Sequence, residues 1–275
     1  MPTEVRPSSR ARRFLSSRLL WSESLGSAAR EAHRLGYQGL EIWSEHAWRD
    51  GPISKLRREL ERVPLQYALH GPFMDLNLCS RNPRIAKLSL EECVRALSLA
   101  RAVGASVMVV HPGRLSSGKD DPEEYWPDLI EALAKLGRHA ANYELVLAVE
   151  NMEPRPRELV TTPKDAQRLL GSVGSKSVQM CLDLAHARLK GANTVSAFIR
   201  LCGPMICHIH VSNVTEGRAH LPLNRGKSPV TPRVLRFLRR EFSGVVTVEG
   251  ATPPGARTAE IGLAALAELL DGTRG

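Results

Sequence analysis

No apolar run in this chain approaches the length of a membrane span, and its basic N-terminus lacks the apolar core of a secretory signal. Those absences argue against a membrane partner and point to a cytoplasmic location. Cysteine offers no framework either. Cys79, Cys93, Cys181, Cys202 and Cys207 are odd in number and scattered, with no CxxC pair. That pattern favours reduced core thiols over a disulfide framework. Neither GxGxxG nor GxxxxGK[ST] occurs, so the phosphate loop of a doubly wound sheet is missing. GxSxG is missing too, and with it the nucleophile elbow of a Ser/His/Asp hydrolase.

What is present suits one large core. A length of 275 residues is common for a single α/β barrel. Lysine and arginine number 38 against 29 acids, a net charge of +9. Such an excess is either a basic surface or an attraction to phosphate, on a metabolite or on nucleic acid. Arg6, Arg10, Arg12, Arg13 and Arg18 crowd the N-terminus. Residues 1–11 read as a loose basic tail and 12–275 as one domain.

Apolar runs alternate with amphipathic ones along the chain. Strands are predicted over 14–21, 39–43, 65–70, 106–111, 145–150, 178–183, 205–211 and 244–249. Helices are predicted over 22–35, 55–62, 83–103, 122–142, 163–170, 194–201, 232–241 and 258–270, with long loops over 44–52 and 213–227. Most of the strand runs are near-continuously apolar, as when both faces are buried. Strict alternation with right-handed crossovers implies a parallel sheet, and eight units imply a closed barrel. The expected fold class is therefore α/β, a single (β/α)8 TIM barrel.

Chemistry collects at the ends of these runs. LVLAVE ends in Glu150, VQMCLD in Asp183, MICHIH in His210 and GVVTVE in Glu249. LQYALH ends in His70 and SVMVVH in His111, while His186 and His220 come in the next loops. A lone histidine there reads as structural and a lone acid as a helix N-cap. In a barrel, however, all strand ends share one face. Carboxylates buried together are costly without a cation. Histidine and carboxylate ligands suit zinc, manganese, cobalt or iron, whereas magnesium wants more oxygen. His186, three residues beyond Asp183, is either a further ligand or a donor to a substrate oxygen.

The segments GYQGLEIW (36–43), LHGPFMDLNLCS (69–80), VVHPG (109–113), VEN (149–151), CLDLAH (181–186), HIHVSN (208–213), HLPLNRG (220–226) and VEG (248–250) run in order across nearly the whole chain. Together they resemble the xylose-isomerase-like TIM barrels (AP endonuclease family 2). That superfamily holds sugar and sugar-phosphate isomerases and epimerases together with endonuclease IV. The resemblance implies a divalent metal held by Glu150, Asp183, His210 and Glu249. It also implies that Glu150 and Glu249 move a proton beside a carbonyl through a metal-bound enediolate, with His186 against a substrate oxygen.

The same resemblance carries a rival. In endonuclease IV, ligands of three zinc ions match His70, His111, Glu150, Asp183, His186, His210, His220 and Glu249. A ninth ligand, an Asp, is Arg218 here, and an arginine repels a cation. Asn213 and the triplet Asn224-Arg225-Gly226 replace further acids. Phe73-Met74 sits where a wedge against DNA would lie; packing at the barrel mouth is the plainer reading.

The expected function is thus a metal-dependent isomerase or epimerase of a polyol, sugar or sugar phosphate. The alternatives are an AP endonuclease acting on DNA and an enolate-type dehydratase. One to three ions are expected. Arg218, Arg225 and Lys227 are expected to bind a substrate phosphate or carboxylate, with Arg218 facing His186 across the mouth.

Overall fold

The computed structural model describes residues 11–250 and 254–272. The expected tail therefore lies outside the described residues, except Ala11, which is buried. The strands in chain order are β1 (Arg12–Ser16), β2 (Gly39–Trp43), β3 (Gln66–His70), β4 (Ala105–Val110), β5 (Val146–Glu150), β6 (Val178–Asp183) and β7 (Ile206–Val211). An antiparallel hairpin of β8 (Asn213–Thr215) and β9 (Arg218–Leu221) comes next, and then β10 (Val245–Val248). Among the described residues, β1 to β7 and β10 close a parallel barrel, with β10 paired to both β7 and β1. The helices α1 (Leu25–Leu35), α2 (Ser44–Arg49), α3 (Ile53–Leu60), α4 (Pro83–Ala102), α5 (Trp126–Asn142), α6 (Pro163–Val173), α7 (Leu184–Lys190), α8 (Thr194–Cys202), α9 (Pro232–Arg240) and α10 (Ala256–Asp271) lie along the connections. The (β/α)8 barrel read from the sequence is the fold.

Strand side chains alternate in direction, so every second residue enters the barrel. Phe14, Ala68 and Val245 cluster at the N-terminal end. Gly39 stands beside them because the Phe14 ring fills its side-chain space: a Cβ there would meet Cζ at 2.2 Å. Val107, Val109, Ala148 and Cys181 form another small cluster. Above these the same inward rows carry the polar residues of the C-terminal mouth. Outward residues join the helices in one continuous apolar core. All five cysteines are free, four of them buried. Among the described residues, no helix is long and apolar enough to cross a membrane.

Four local departures bear on the site. The first strand stops at Ser16, whose Oγ accepts from the Arg18 amide and starts a short 3-10 turn, Ser17–Leu20. The loop expected over 44–52 contains α2, and Ser44 Oγ at its start donates to the His70 carbonyl at 2.7 Å. A helix, α7, begins directly after Asp183. The loop expected over 213–227 folds into the β8–β9 hairpin, tied back by paired Val214 and Lys227 amide-to-carbonyl bonds of 2.9 and 2.7 Å.

Candidate metal centre and cleft

Asp183 shows how local structure aims a candidate ligand. One carboxylate oxygen, Oδ1, accepts from the His186 amide at 2.7 Å and caps α7. Asn151 grips the same residue from the end of β5: Asp183 N donates to Asn151 Oδ1 at 2.8 Å, and Asn151 Nδ2 donates to the Asp183 carbonyl at 3.1 Å. Asp183 Oδ2 is left buried without a hydrogen-bond partner. The cap also brings His186 round on the first turn of α7. Its Nδ1 lies 2.9 Å from the Asn151 carbonyl, which fixes the ring.

Glu150, Asp183, His210 and Glu249 are all buried, with one ligand atom from each lying within 4.8 Å of the others. His210 Nδ1 is 3.2 Å from Glu150 Oε1 and 3.2 Å from Glu249 Oε2. Glu150 Oε2 and Glu249 Oε2 have no partner besides histidine nitrogens at 3.2 to 3.8 Å. Three buried carboxylates around one imidazole fit a divalent cation of the zinc, manganese, cobalt or iron kind. Two further groups border this one. His70, His111 and Glu150 form the first, with His111 Nε2 at 3.2 Å and His70 Nε2 at 3.7 Å from Glu150 Oε2. Glu153, His186 and His220 form the second.

The ionisation of these groups is interlocked. Burial works to raise Glu150, but the His210 charge and bonds from His111, His210 and His70 hold it well below the usual carboxylate range. Glu249 behaves alike: burial raises it, His210 outweighs that, and it falls to about 2. Asp183 moves up to about 6, because burial outweighs His186 and His220 and the neighbouring acids add to it. Burial lowers His186, yet Asp183, Glu150 and Glu249 carry it up to about 9. Imidazolium and carboxylate therefore neutralise each other in this pocket, a balance a cation would replace.

A cleft of about 260 Å3 opens over these residues, on the scale of a small metabolite. Trp43, Phe73 and Met152 supply apolar wall, and Arg114, Arg155 and Glu158 charge. Phe73 stacks on His111 with ring centroids 4.3 Å apart, while Met74 beside it is half exposed. Arg218, Arg225 and Lys227 are exposed on and after the hairpin and are not among the cleft-lining residues. The expected contact of Arg218 across the mouth from His186 is not made; His220 occupies that place, its Nε2 3.1 Å from His186 Nε2. The backbone of β9 explains this: regular alternation would put Arg218 and His220 on one side, but His220 leaves it with φ 60 and turns to His186, while Arg218, next to the turn at Gly217, stays exposed.

The xylose isomerase-like TIM barrel family matches residues 29–269. The chain belongs to that family. Among its relatives, fructoselysine 3-epimerase of Escherichia coli O157:H7 is 24% identical over 239 residues, covering 82% of this chain and 85% of that one. Among solved structures, a D-tagatose 3-epimerase-like protein superposes with a TM-score of 0.82 at 25% identity, over 94% of this chain and 97% of its own. The IOLI protein, solved with a bound zinc atom, superposes with a TM-score of 0.80 at 18% identity, over 94% and 98%. The family's relatives are thus in good part sugar epimerases.

Sequence reasoning passes over several residues of the site. Glu41, in the middle of GLEIW, is fully buried beneath the centre, its Oε2 2.7 Å from His208 Nε2 and 3.0 Å from His210 Nε2. Thr247 Oγ1 joins them 2.9 Å from His208 Nε2. An acid inside an otherwise apolar strand is the available signal. Glu153 has none, because it comes into place only through the course of the loop after β5.

Proposed function

We propose that this chain is a divalent-metal-dependent isomerase or epimerase of a sugar or sugar phosphate, working by proton transfer next to a carbonyl. The observation that carries the reading is the pairing of Glu150 and Glu249 with His210 Nδ1, at 3.2 Å each, in a buried pocket where Oε2 of each acid meets nothing but histidine nitrogens. Glu150, Asp183, His210 and Glu249 would hold the metal. When bound, it would supply Lewis acidity to a carbonyl and the hydroxyl beside it, lowering the barrier to losing the intervening proton.

The chain's own residues account for the rest. Glu150 and Glu249 are both kept as carboxylates, so either can accept a proton at Oε2 and return it. Two such groups on one centre permit removal from one face of a carbon and return to the other, which is epimerisation, or return to the neighbouring carbon, which is isomerisation. His186, locked by Asn151, presents Nε2 to the cleft for a substrate oxygen. Trp43, Phe73 and Met152 shield the reacting carbon from water. A substrate phosphate or carboxylate would meet Arg114, whose main chain is clamped by Asn77 through bonds of 2.8 and 3.0 Å.

The test is deuterium uptake from solvent into a panel of ketoses and their phosphates with added Mn2+. Exchange at the carbon beside the carbonyl is expected, falling by about 10²–10⁴-fold in E249Q. No exchange and no turnover across the panel would overturn the reading.

A multi-metal phosphodiesterase acting at abasic sites in DNA is a second reading. What favours it is the pair of extra histidine–carboxylate groups bordering the first. Zinc-loaded protein that leaves an abasic duplex uncut would remove it.

A further inference from the structure

We propose that Arg114 and Glu158 form a subsite for a zwitterion, so that the substrate is a ketose bearing an aminocarboxylate group, with its carboxylate on Arg114 and its ammonium on Glu158. The ketose half of this statement rests on the isomerase reading; the charge half does not.

Two couples of unlike charge line the cleft, and they differ in kind. Glu153 and Arg155 satisfy each other: Glu153 Oε2 accepts from Arg155 Nε and Nη2, both at 2.7 Å. Arg114 and Glu158 do not. Their backbones are bridged side by side, with the Leu115 amide donating to the Arg157 carbonyl at 2.9 Å. Arg157 Nε returns a bond to the Leu115 carbonyl at 3.0 Å. Asn77 clamps the Arg114 main chain from the other side. Yet among the described residues neither side chain enters an ion pair, and Arg114 Nε is buried with no hydrogen-bond partner. The two charges are held as neighbours and kept apart.

Partly buried charges without partners are unfavourable. Glu158 registers this: burial raises its carboxyl above the ordinary value, and the opposing pull of Arg114 does not bring it back. A ligand with one charge helps one residue and harms the other. An anion on Arg114 repels Glu158, and a cation on Glu158 repels Arg114. A ligand with both charges relieves both. The guanidinium fork matches a carboxylate through two parallel N–H bonds, and a carboxylate takes an ammonium through charge-assisted ones.

Beside these residues the cleft opens into a chamber of about 50 Å3. Arg114, Glu158, Phe73, His111 and Met152 line both spaces. His111 Nε2 is 3.2 Å from Glu150 Oε2, so the subsite adjoins the centre where the carbonyl would lie. Leu76, Leu78 and Cys93 give the chamber apolar wall. Ser89 in that wall is already occupied: its Oγ accepts from the Asn77 amide at 2.8 Å and donates to the Ile85 carbonyl at 2.7 Å. The chamber thus takes carbon, and the ligand's charges stay with Arg114 and Glu158.

The test is calorimetric binding of a panel of probes to the Mn2+-loaded chain. The panel is fructose, 1-amino-1-deoxyfructose with the cation only, 5-ketogluconate with the anion only, and N-(1-deoxyfructos-1-yl)glycine with both. The unaltered chain is expected to bind the glycine conjugate at least about tenfold more tightly than any other probe. In R114Q the conjugate should fall to the level of the cation-only probe, and in E158Q to that of the anion-only probe. If either variant folds poorly, the other and the ranking in the unaltered chain still decide. 5-Ketogluconate binding as tightly as the conjugate, or unchanged affinities in both variants, overturns the subsite. Binding is read without turnover. A preference for the conjugate with no deuterium exchange in it would defeat the isomerase reading alone, whereas exchange in fructose with equal affinity across the panel would sink this inference alone.

Discussion

Glu41 carries two histidines on one oxygen. It is fully buried, and burial alone would raise its carboxyl, but the charges of His210 and His208 and their hydrogen bonds bring it far below the usual range. By accepting from His210 Nε2 it leaves Nδ1 as the atom facing Glu150 and Glu249. Carboxylates that orient a ligating imidazole in this way typically contribute 10–100-fold in metal affinity. Glu41→Gln, which keeps an acceptor but removes the charge, is expected to weaken Mn2+ binding by about that factor. Calorimetric titration checks it, with circular dichroism as the control for fold. An unchanged affinity would show that His210 is held by packing alone.

At the scale of elements, the mouth is built by the connection leaving the C-terminal end of each strand. The β8–β9 hairpin holds His220, and its return depends on Gly226 (φ +72), where a Cβ would lie 2.5 Å from the Val214 carbonyl oxygen. Gly226→Ala is therefore expected to loosen the hairpin at a cost of about 1–3 kcal/mol. Faster amide exchange across 213–227 than in the unaltered chain should accompany it, and unchanged exchange there would show that the hairpin tolerates the methyl group. These elements are also the least legible in the sequence. The barrel strands announce themselves because both faces are buried and the runs are apolar; the run Val178–Asp183 coincides with its strand to the residue. The hairpin strands span 3 and 4 residues, polar outside, and carry no such period. Helix α7 is hidden because its cap, Asp183, is also the end of a strand. His70, His111, Glu150, Asp183, His210 and Glu249 are legible as a set since strand ends converge in any barrel. Glu41 and Glu153 are not: one looks like a flaw in a strand, and the other depends on a loop's path.

For the whole molecule, closure and the proposed metal are the two levers. Adding a methyl group at Gly39 drives it into the Phe14 ring at the closed end of the barrel. Gly39→Ala is expected to destabilise by about 1–3 kcal/mol. Phe14→Leu in the same chain should recover part of that loss in a denaturant titration; no recovery would mean the strain lies elsewhere. A bound ion acts at the other end. At a hundredfold excess over its dissociation constant it adds about 2.7 kcal/mol. Melting should therefore rise by several degrees with Mn2+ or Zn2+ and fall back with chelator. Equal melting with and without metal would argue that the acids are held by their histidines alone.

The pairing of β10 with both β7 and β1 has a consequence for the chain during synthesis. β1 leaves the ribosome before every other strand of the barrel, and one of its two neighbours is the barrel strand made last. Until Val245 emerges the sheet is an open ribbon with two bare edges, and Glu249 is still missing from the mouth. The same segment thus seals the backbone and completes the proposed ligand set. A chain lacking this segment has no finished centre to load, so uptake of the proposed metal would mark a barrel whose closing strand is in place.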